Sequence, residues 1–193
     1  MAEQRAYHHG DLRRALLDAA VEMIGETGAA GVSLRDLARR AGVSHAAPTH
    51  HFKDKTGLFT AVAAEGYRLL ADSLAEGAEA VQPEEALRDM GRRYVAFAAA
   101  HPAHFSVMFD EPLLRADDPE LAEARARAGA LLDAAVVRLP AGRRGVDTEG
   151  AVLAALSMAH GFATLMLSGG LAGRLGGKEP ADRFHDLTYF LFS

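Results

Sequence analysis

Ser44, His45, Thr49, His50 and His51 fall within the nine-residue segment SHAAPTHHF, and Lys53 and Lys55 follow at once. Hydroxyls and imidazoles donate and accept hydrogen bonds in patterns that suit base edges, while ammonium groups neutralise phosphate. Ala46 and Ala47 are small enough to let a backbone approach those edges. Upstream, Ser33 and Arg35 stand at a helix start, where free N–H groups and the helix dipole favour an anion. Together these residues read as a DNA contact surface, with Ser33, Arg35, Lys53 and Lys55 positioning it on the phosphates. Enzyme chemistry finds no comparable set: cysteine is absent, no His-Glu-x-x-His occurs, and Gly169-Gly170 and Gly176-Gly177 lack the strand and lysine of a phosphate-cradling loop. We therefore expect no catalytic residue, no metal site and no cofactor, and do not read the chain as an enzyme.

The elements that must hold this surface follow from apolar spacing. Leu12, Leu16, Ala19, Met23 and Ile24 recur with helical period, and Gly28 is placed to end that helix in a left-handed conformation. Ser33 with Asp36 three residues on reads as a capping box for a short helix carrying Leu34, Leu37, Ala38 and Ala41. Gly42 breaks it, Val43 supplies an apolar plug, and Ser44 is the expected N-cap of another short helix ending near Phe52. Pro48 is then the fifth residue counting the cap, and removes one backbone hydrogen bond. Two short helices joined by a tight glycine turn after a longer packing helix make a helix-turn-helix, whose second helix enters the major groove.

Helical period continues to the end of the chain, and no segment alternates with period two, so the fold is expected to be all-α. Asp54 caps a long helix bearing Phe59, Val62, Ala63, Leu70 and Leu74 that ends near Gly77. Gln82-Pro83-Glu84-Glu85 opens the next, His101-Pro102 separates it from the short segment PAHFSVMFD, and Asp118-Pro119-Glu120 starts another before a loop from Pro140 to Gly145. Thr148 to about Leu167 is apolar on nearly every side, which implies burial on more than one face, part of it against another subunit. Pro180 to Phe192 forms a last helix. We expect a DNA-binding domain over 1–54 and a helical regulatory domain over 55–193. In the latter, Met90, Tyr94, Phe97, Phe105, Met108, Phe109, Met158 and Phe162 are available to line a cavity, and His101, His104 and His160 to orient a small-molecule effector.

Charge agrees with this division. The chain carries a net −5, yet residues 1–55 hold eight Lys/Arg against seven Asp/Glu and five of the nine histidines, His8, His9, His45, His50 and His51. Apolar runs fall short of the roughly 18–20 residues that span a bilayer, and the N-terminus lacks a secretory apolar stretch. A cytoplasmic location without membrane association is expected.

The motif SLRDLARRAGVSHAAPTHHFKDKTGLF, residues 33–59, resembles the tetracycline-repressor (TetR) family of one-component regulators. Gly42-Val43-Ser44, His51-Phe52 and Lys55 match its pattern, while Thr49 stands where the family most often has a tyrosine. More weakly, His101-Pro102-x-x-Phe105 and Ala155-Leu156-Ser157-x-x-His160-Gly161 resemble a regulatory-domain subtype named for a Trp-His-Gly signature, with Leu156 in place of the tryptophan. The resemblance implies a homodimer built from the last two helices, an effector pocket enclosed by the middle helices, and repression at an inverted-repeat operator in double-stranded DNA. Two other readings stand beside it. A metal-responsive regulator would use His8/His9, His50/His51 or His101/His104, and a helical interaction protein without operator binding would explain Pro48 and Thr49.

Overall fold

The computed structural model describes residues 2–76, 82–140 and 147–191, and their side chains from 12 to 189. The described residues form α-helices and one short 3₁₀ turn with no strand, as the periodicity predicts. The helices are α1 (Ala2–Gly31), α2 (Leu34–Arg40), α3 (Ala46–Phe52), α4 (Lys55–Ala75), α5 (Pro83–Ala100), α6 (Pro102–Met108), α7 (Pro119–Val137), α8 (Thr148–Leu167) and α9 (Pro180–Leu191), with the 3₁₀ turn at Glu111–Leu113. Gly77 and the loop expected from Pro140 to Gly145 lie outside the described residues, apart from Pro140 itself. Packing divides the chain into two compact units. One comprises Met1–Tyr67 with Ala103–Glu123, the other Arg68–Pro102 with Ala124–Ser193. The first 54 residues thus share a unit with the start of α4, α6 and the 3₁₀ turn.

In the first unit Leu16, Leu17, Ala20 and Ile24 of α1 are buried together with Val32, Leu37, Ala38, Phe52, Leu58, Phe59 and Val62. Gly28 does interrupt α1 with positive φ, but at φ 70°, ψ 167°. That is a glycine-only extended conformation in place of the left-handed helical one expected, so the chain kinks and Val32 reaches the core. Ser33 caps α2 by accepting from the Asp36 N–H at 3.1 Å, and its hydroxyl donates to the Asp36 carboxylate at 2.6 Å. That hydroxyl, then Arg39, holds Asp36 below the usual carboxylate range.

A chain of polar contacts ties three helices of this unit. Arg14 of α1 pairs with Glu65 of α4, whose other oxygen lies 3.2 Å from Nε2 of buried His104 on α6. The His104 contact is the largest influence lowering the Glu65 pKa, with Arg14 adding to it against the penalty of burial. A carboxylate depressed in the folded state stabilises the protein above its unfolded pKa of about 4.3, and that contribution is lost as pH falls through the folded value. Glu65→Gln should therefore lower the urea midpoint at pH 6 and narrow its gap from wild type at pH 3. A gap that is the same at both pH values would contradict the assignment.

The second unit is organised by α5, which packs on both α8 and α9. Met90, Tyr94, Val95, Phe97 and Ala98 form its buried side. At Gly91 a Cβ would stand 2.5 Å from the Phe184 ring, so glycine lets α9 approach α5 closely. Only Ala159 and Ala163 of α8 are buried. The expectation that α8 is covered on more than one face is thus not met within a single chain: Leu153, Leu156, Leu165 and Leu167 are exposed. By length and composition alone α8 is also apolar enough to cross a membrane.

Candidate nucleic-acid interface

Two pairs of residues orient α3. Pro48 and Phe52, four apart, are buried, while Ala46, Thr49 and His50 share the opposite, exposed stripe at i, i+3 and i+4, and Lys53, just past the helix, is exposed as well. Ala47 and His51 flank the stripe, half-buried. Ser44 and His45 are exposed at its start. Of the residues named from sequence on and before α3, Ser44, His45, Ala46, Thr49 and His50 are thus exposed, with Ala47 and His51 half-buried. Val43, the expected plug, is half-buried, with its N–H on the Ala38 carbonyl at 3.0 Å.

The start of α3 differs from expectation. His45, not Ser44, occupies the cap position, without a side-chain cap bond, and the Ser44 carbonyl accepts from the Ala47 N–H at 3.0 Å. That i to i+3 bond is a 3₁₀-type opening turn. Pro48 consequently sits at the third helical position, within the first turn, where an N–H has no intrahelical partner. Proline there removes no bond at all, and its ring packs into the core.

The end of α3 is held by an unusual turn. Lys53 has φ 71°, ψ −57°, the one non-glycine residue with positive φ among those described. The Asp54 N–H donates to the Phe52 carbonyl at 2.9 Å, closing a three-residue γ-turn of the strained kind about Lys53. Such strain is worth on the order of 1–3 kcal/mol. Lys53→Gly should raise the melting temperature by a few degrees; a melt no higher than wild type would show the turn to be relaxed.

Asp54 then caps α4, accepting the Gly57 N–H at 2.8 Å and the Arg115 guanidinium at 2.8 Å. These contacts, Gly57 first, hold its carboxyl below the usual range. Arg115, in the loop after α6, also donates its backbone N–H to Thr60 Oγ1 at 3.0 Å. Arg13 of α1 lies over the Phe52 ring at 5.7 Å. Sequence reasoning missed Gly57, Arg115 and Arg13, because each acts through a partner far away in the chain or through space that only the fold defines.

The positioning cations divide into two groups. Arg35 and Lys53 are exposed and make no ion pair among the described residues. Lys55 is half-buried: its ammonium donates to the Ala30 carbonyl at 3.2 Å and lies over the Phe59 ring at 5.3 Å. Before any ligand arrives, then, Lys55 is engaged at the end of α1.

The residues expected to line one effector cavity fall into both units. His104, Phe105, Met108 and Phe109 belong to the first, where the Tyr67 hydroxyl donates to the Met108 carbonyl at 3.1 Å and the Phe105 and Phe109 rings are 5.3 Å apart. Met90, Tyr94, Phe97, His101, Met158, His160 and Phe162 belong to the second. There Tyr94 Oη and His160 Nδ1 are 2.9 Å apart, and burial pushes the His160 pKa down, favouring neutral imidazole. Phe97 stacks near His101 at 5.1 Å, and Phe162 meets Phe184 edge-on at 5.2 Å. Among the described residues no group of three His, Cys, Asp or Glu is placed to hold a metal ion.

A short helix with one buried pair and one exposed polar stripe, set on a glycine turn against two supporting helices, defines the helix-turn-helix class. Within that class the chain belongs to the TetR family: residues 16–62 match the model of bacterial regulatory proteins of the tetR family, and residues 87–190 the tetracyclin repressor-like C-terminal domain. The HTH-type transcriptional regulator BetI of Cronobacter sakazakii is 41% identical over 63 residues, which are 33% of this chain and 31% of BetI. The chain therefore spans about a third of that relative's length. A protein of unknown function from Rhodococcus sp. RHA1 is similar over 96% of each chain, with 32% identity and TM-score 0.79. The TetR-family regulator PfmR of Thermus thermophilus shares the fold at 22% identity and TM-score 0.69, over 92% of this chain and 96% of PfmR.

Proposed function

We propose that this chain is a ligand-responsive, sequence-specific DNA-binding transcription regulator, a repressor that reads an inverted-repeat operator as a homodimer, and not an enzyme. The carrying observation is the exposed stripe Ala46, Thr49 and His50 set opposite buried Pro48 and Phe52, with exposed Lys53 following. In this reading Ser44, His45, Thr49, His50 and His51 meet base edges, Ala46 and Ala47 permit the approach, and Ser33, Arg35, Lys53 and Lys55 meet phosphate. Lys55 reaches phosphate by exchanging the Ala30 carbonyl for it.

Dimerisation supplies the second reader, and half-sites about 34–36 Å apart follow from one helical turn of DNA. The leucines exposed along α8 support a partner surface there, with α9 beside it. The effector reading rests on the Tyr94–His160 polar pair in the second unit, to which Met90, Phe97 and Phe162 also belong. Its entry would displace α4, whose last residues belong to the second unit and whose first belong to the reader's unit. Coupling of this kind is typically about 1–3 kcal/mol.

Selection of duplexes from a random-sequence library on the full chain tests the reading. Enrichment of an inverted repeat, bound with steep salt dependence, is the expected outcome. No enriched duplex at low salt would favour the helical interaction protein instead. On the enriched duplex Lys53→Gly should flatten the salt slope by about 0.9, the value for one phosphate contact.

A further inference from the structure

On the reading helix itself, α3, histidine is the only residue type able to carry charge: Ala46–Phe52 reads AAPTHHF, with His45 preceding it. His45 and His50 are exposed and His51 is half-buried. Fixed positive charge nearby is largely committed elsewhere. On α2, Arg39 pairs with Asp36 at 2.8 Å and Arg40 with Glu26 and Glu22. On α1, Arg13 faces Glu120 at 3.7 Å, and Arg14 faces Asp18 and Glu65. After α3, Asp54 pairs with Arg115 and Lys55 is bonded to the Ala30 carbonyl. Arg35 and Lys53 remain as exposed cations around the helix.

A duplex brings phosphates on both sides of a helix seated in the major groove. An imidazole placed there gains a proton more readily than in the free protein, because the polyanion favours its charged form. Imidazole is the side chain whose charge changes between about pH 5 and 8, the range over which a polyanion's pull on a proton is read. We propose that DNA binding by this protein is proton-linked, with His45, His50 and His51 taking up protons on the reading helix and tightening the complex as pH falls. The inference rests on the DNA-binding reading above and adds a regulatory input to it: the operator affinity registers pH without any effector. It also changes the contacts available. A neutral imidazole offers one donor and one acceptor, whereas the protonated ring donates from both nitrogens and meets phosphate or guanine acceptors.

The test uses the duplex enriched on the full chain at pH 6.0, with affinity measured by fluorescence anisotropy at pH 6.0, 7.0 and 8.0 over a range of salt. Wild type should bind at least tenfold more tightly at pH 6.0 than at 8.0. Its salt slope should be steeper at the lower pH by about 1–3, since each added phosphate contact contributes about 0.9. The combined variant His45→Gln, His50→Gln, His51→Gln should lose most of that dependence, while His8→Gln with His9→Gln should keep it. Thermal melts at each pH confirm that all proteins compared are folded. Wild-type affinity constant within twofold across the range, or an undiminished pH response in the triple variant, would overturn the proposal while leaving DNA binding intact. Failure to enrich any duplex overturns the DNA-binding reading, and this inference with it.

Discussion

Gly57→Ala is expected to destabilise the protein by several degrees and to weaken operator binding by tenfold or more at temperatures where it remains folded. The sign is informative. Within a helix, glycine to alanine ordinarily stabilises by up to about 1 kcal/mol. At this position a Cβ would stand 2.0 Å from the Phe52 carbonyl oxygen and 2.8 Å from the Arg115 guanidinium. Arg115 can swing aside. The Phe52 oxygen cannot, because it belongs to the last residue of the reading helix and accepts the hydrogen bond that closes the turn at Lys53. Overpacking of this kind costs about 1–3 kcal/mol, and the movement that relieves it must tilt α3 away from α4. Differential scanning fluorimetry with anisotropy on the enriched duplex reads both effects. A variant that melts above wild type and binds equally well would mean that helix propensity outweighs the contact.

Leu153→Glu combined with Leu165→Glu is expected to give a folded monomer that binds the inverted repeat at least a hundredfold more weakly. Leu153 and Leu165 are 64% and 52% exposed in the single chain, so the substitutions disturb only the covered part of each side chain within it. Burying a leucine contributes about 1.5–3 kcal/mol, and two such residues from each copy, each about half available, supply about 3–6 kcal/mol to an interface. Glutamate removes this and adds buried charge. Sedimentation equilibrium should show dimers for wild type and monomers for the variant, with the helical circular dichroism unchanged. A wild type that is monomeric at tens of micromolar would remove α8 from the dimer interface.

How much of this was legible in the sequence depends on the range of the determining interaction. Helix starts at Asp54, Pro83 and Asp118, and the breaks at Gly42 and His101-Pro102, are set by residues within a turn or two. Each lies where local chemistry predicts. The start of α3 was misplaced by one residue because Ser44 is a better cap than His45 by side chain. The backbone instead enters through a 3₁₀ turn that buries Pro48, and core packing overrides the cap preference. The exposed side of α3 was legible from sequence, since a buried pair at i, i+4 leaves its opposite stripe exposed. Lys55 was assigned to phosphate on its position alone, and its bond to Ala30 depends on where α1 ends. Arg115 was invisible for a similar reason: nothing local marks a loop arginine as the partner of Asp54, 61 residues away. Apolar residues of α6 and those of α5 and α8 belong to different units, a division that composition does not show because both use Phe and Met.

Pro48 carries one more consequence. A seven-residue helix is far too short to persist by itself in water. Here the φ of Pro48 is fixed covalently in the first turn, and its ring is already buried before any partner arrives. The unfolded chain has correspondingly less freedom to surrender at this point. In the proposed function, recognition is then the docking of a finished shape. Little heat-capacity change should come from folding coupled to association, and the entropy of ordering the reader is settled when the protein folds, not when it meets its operator.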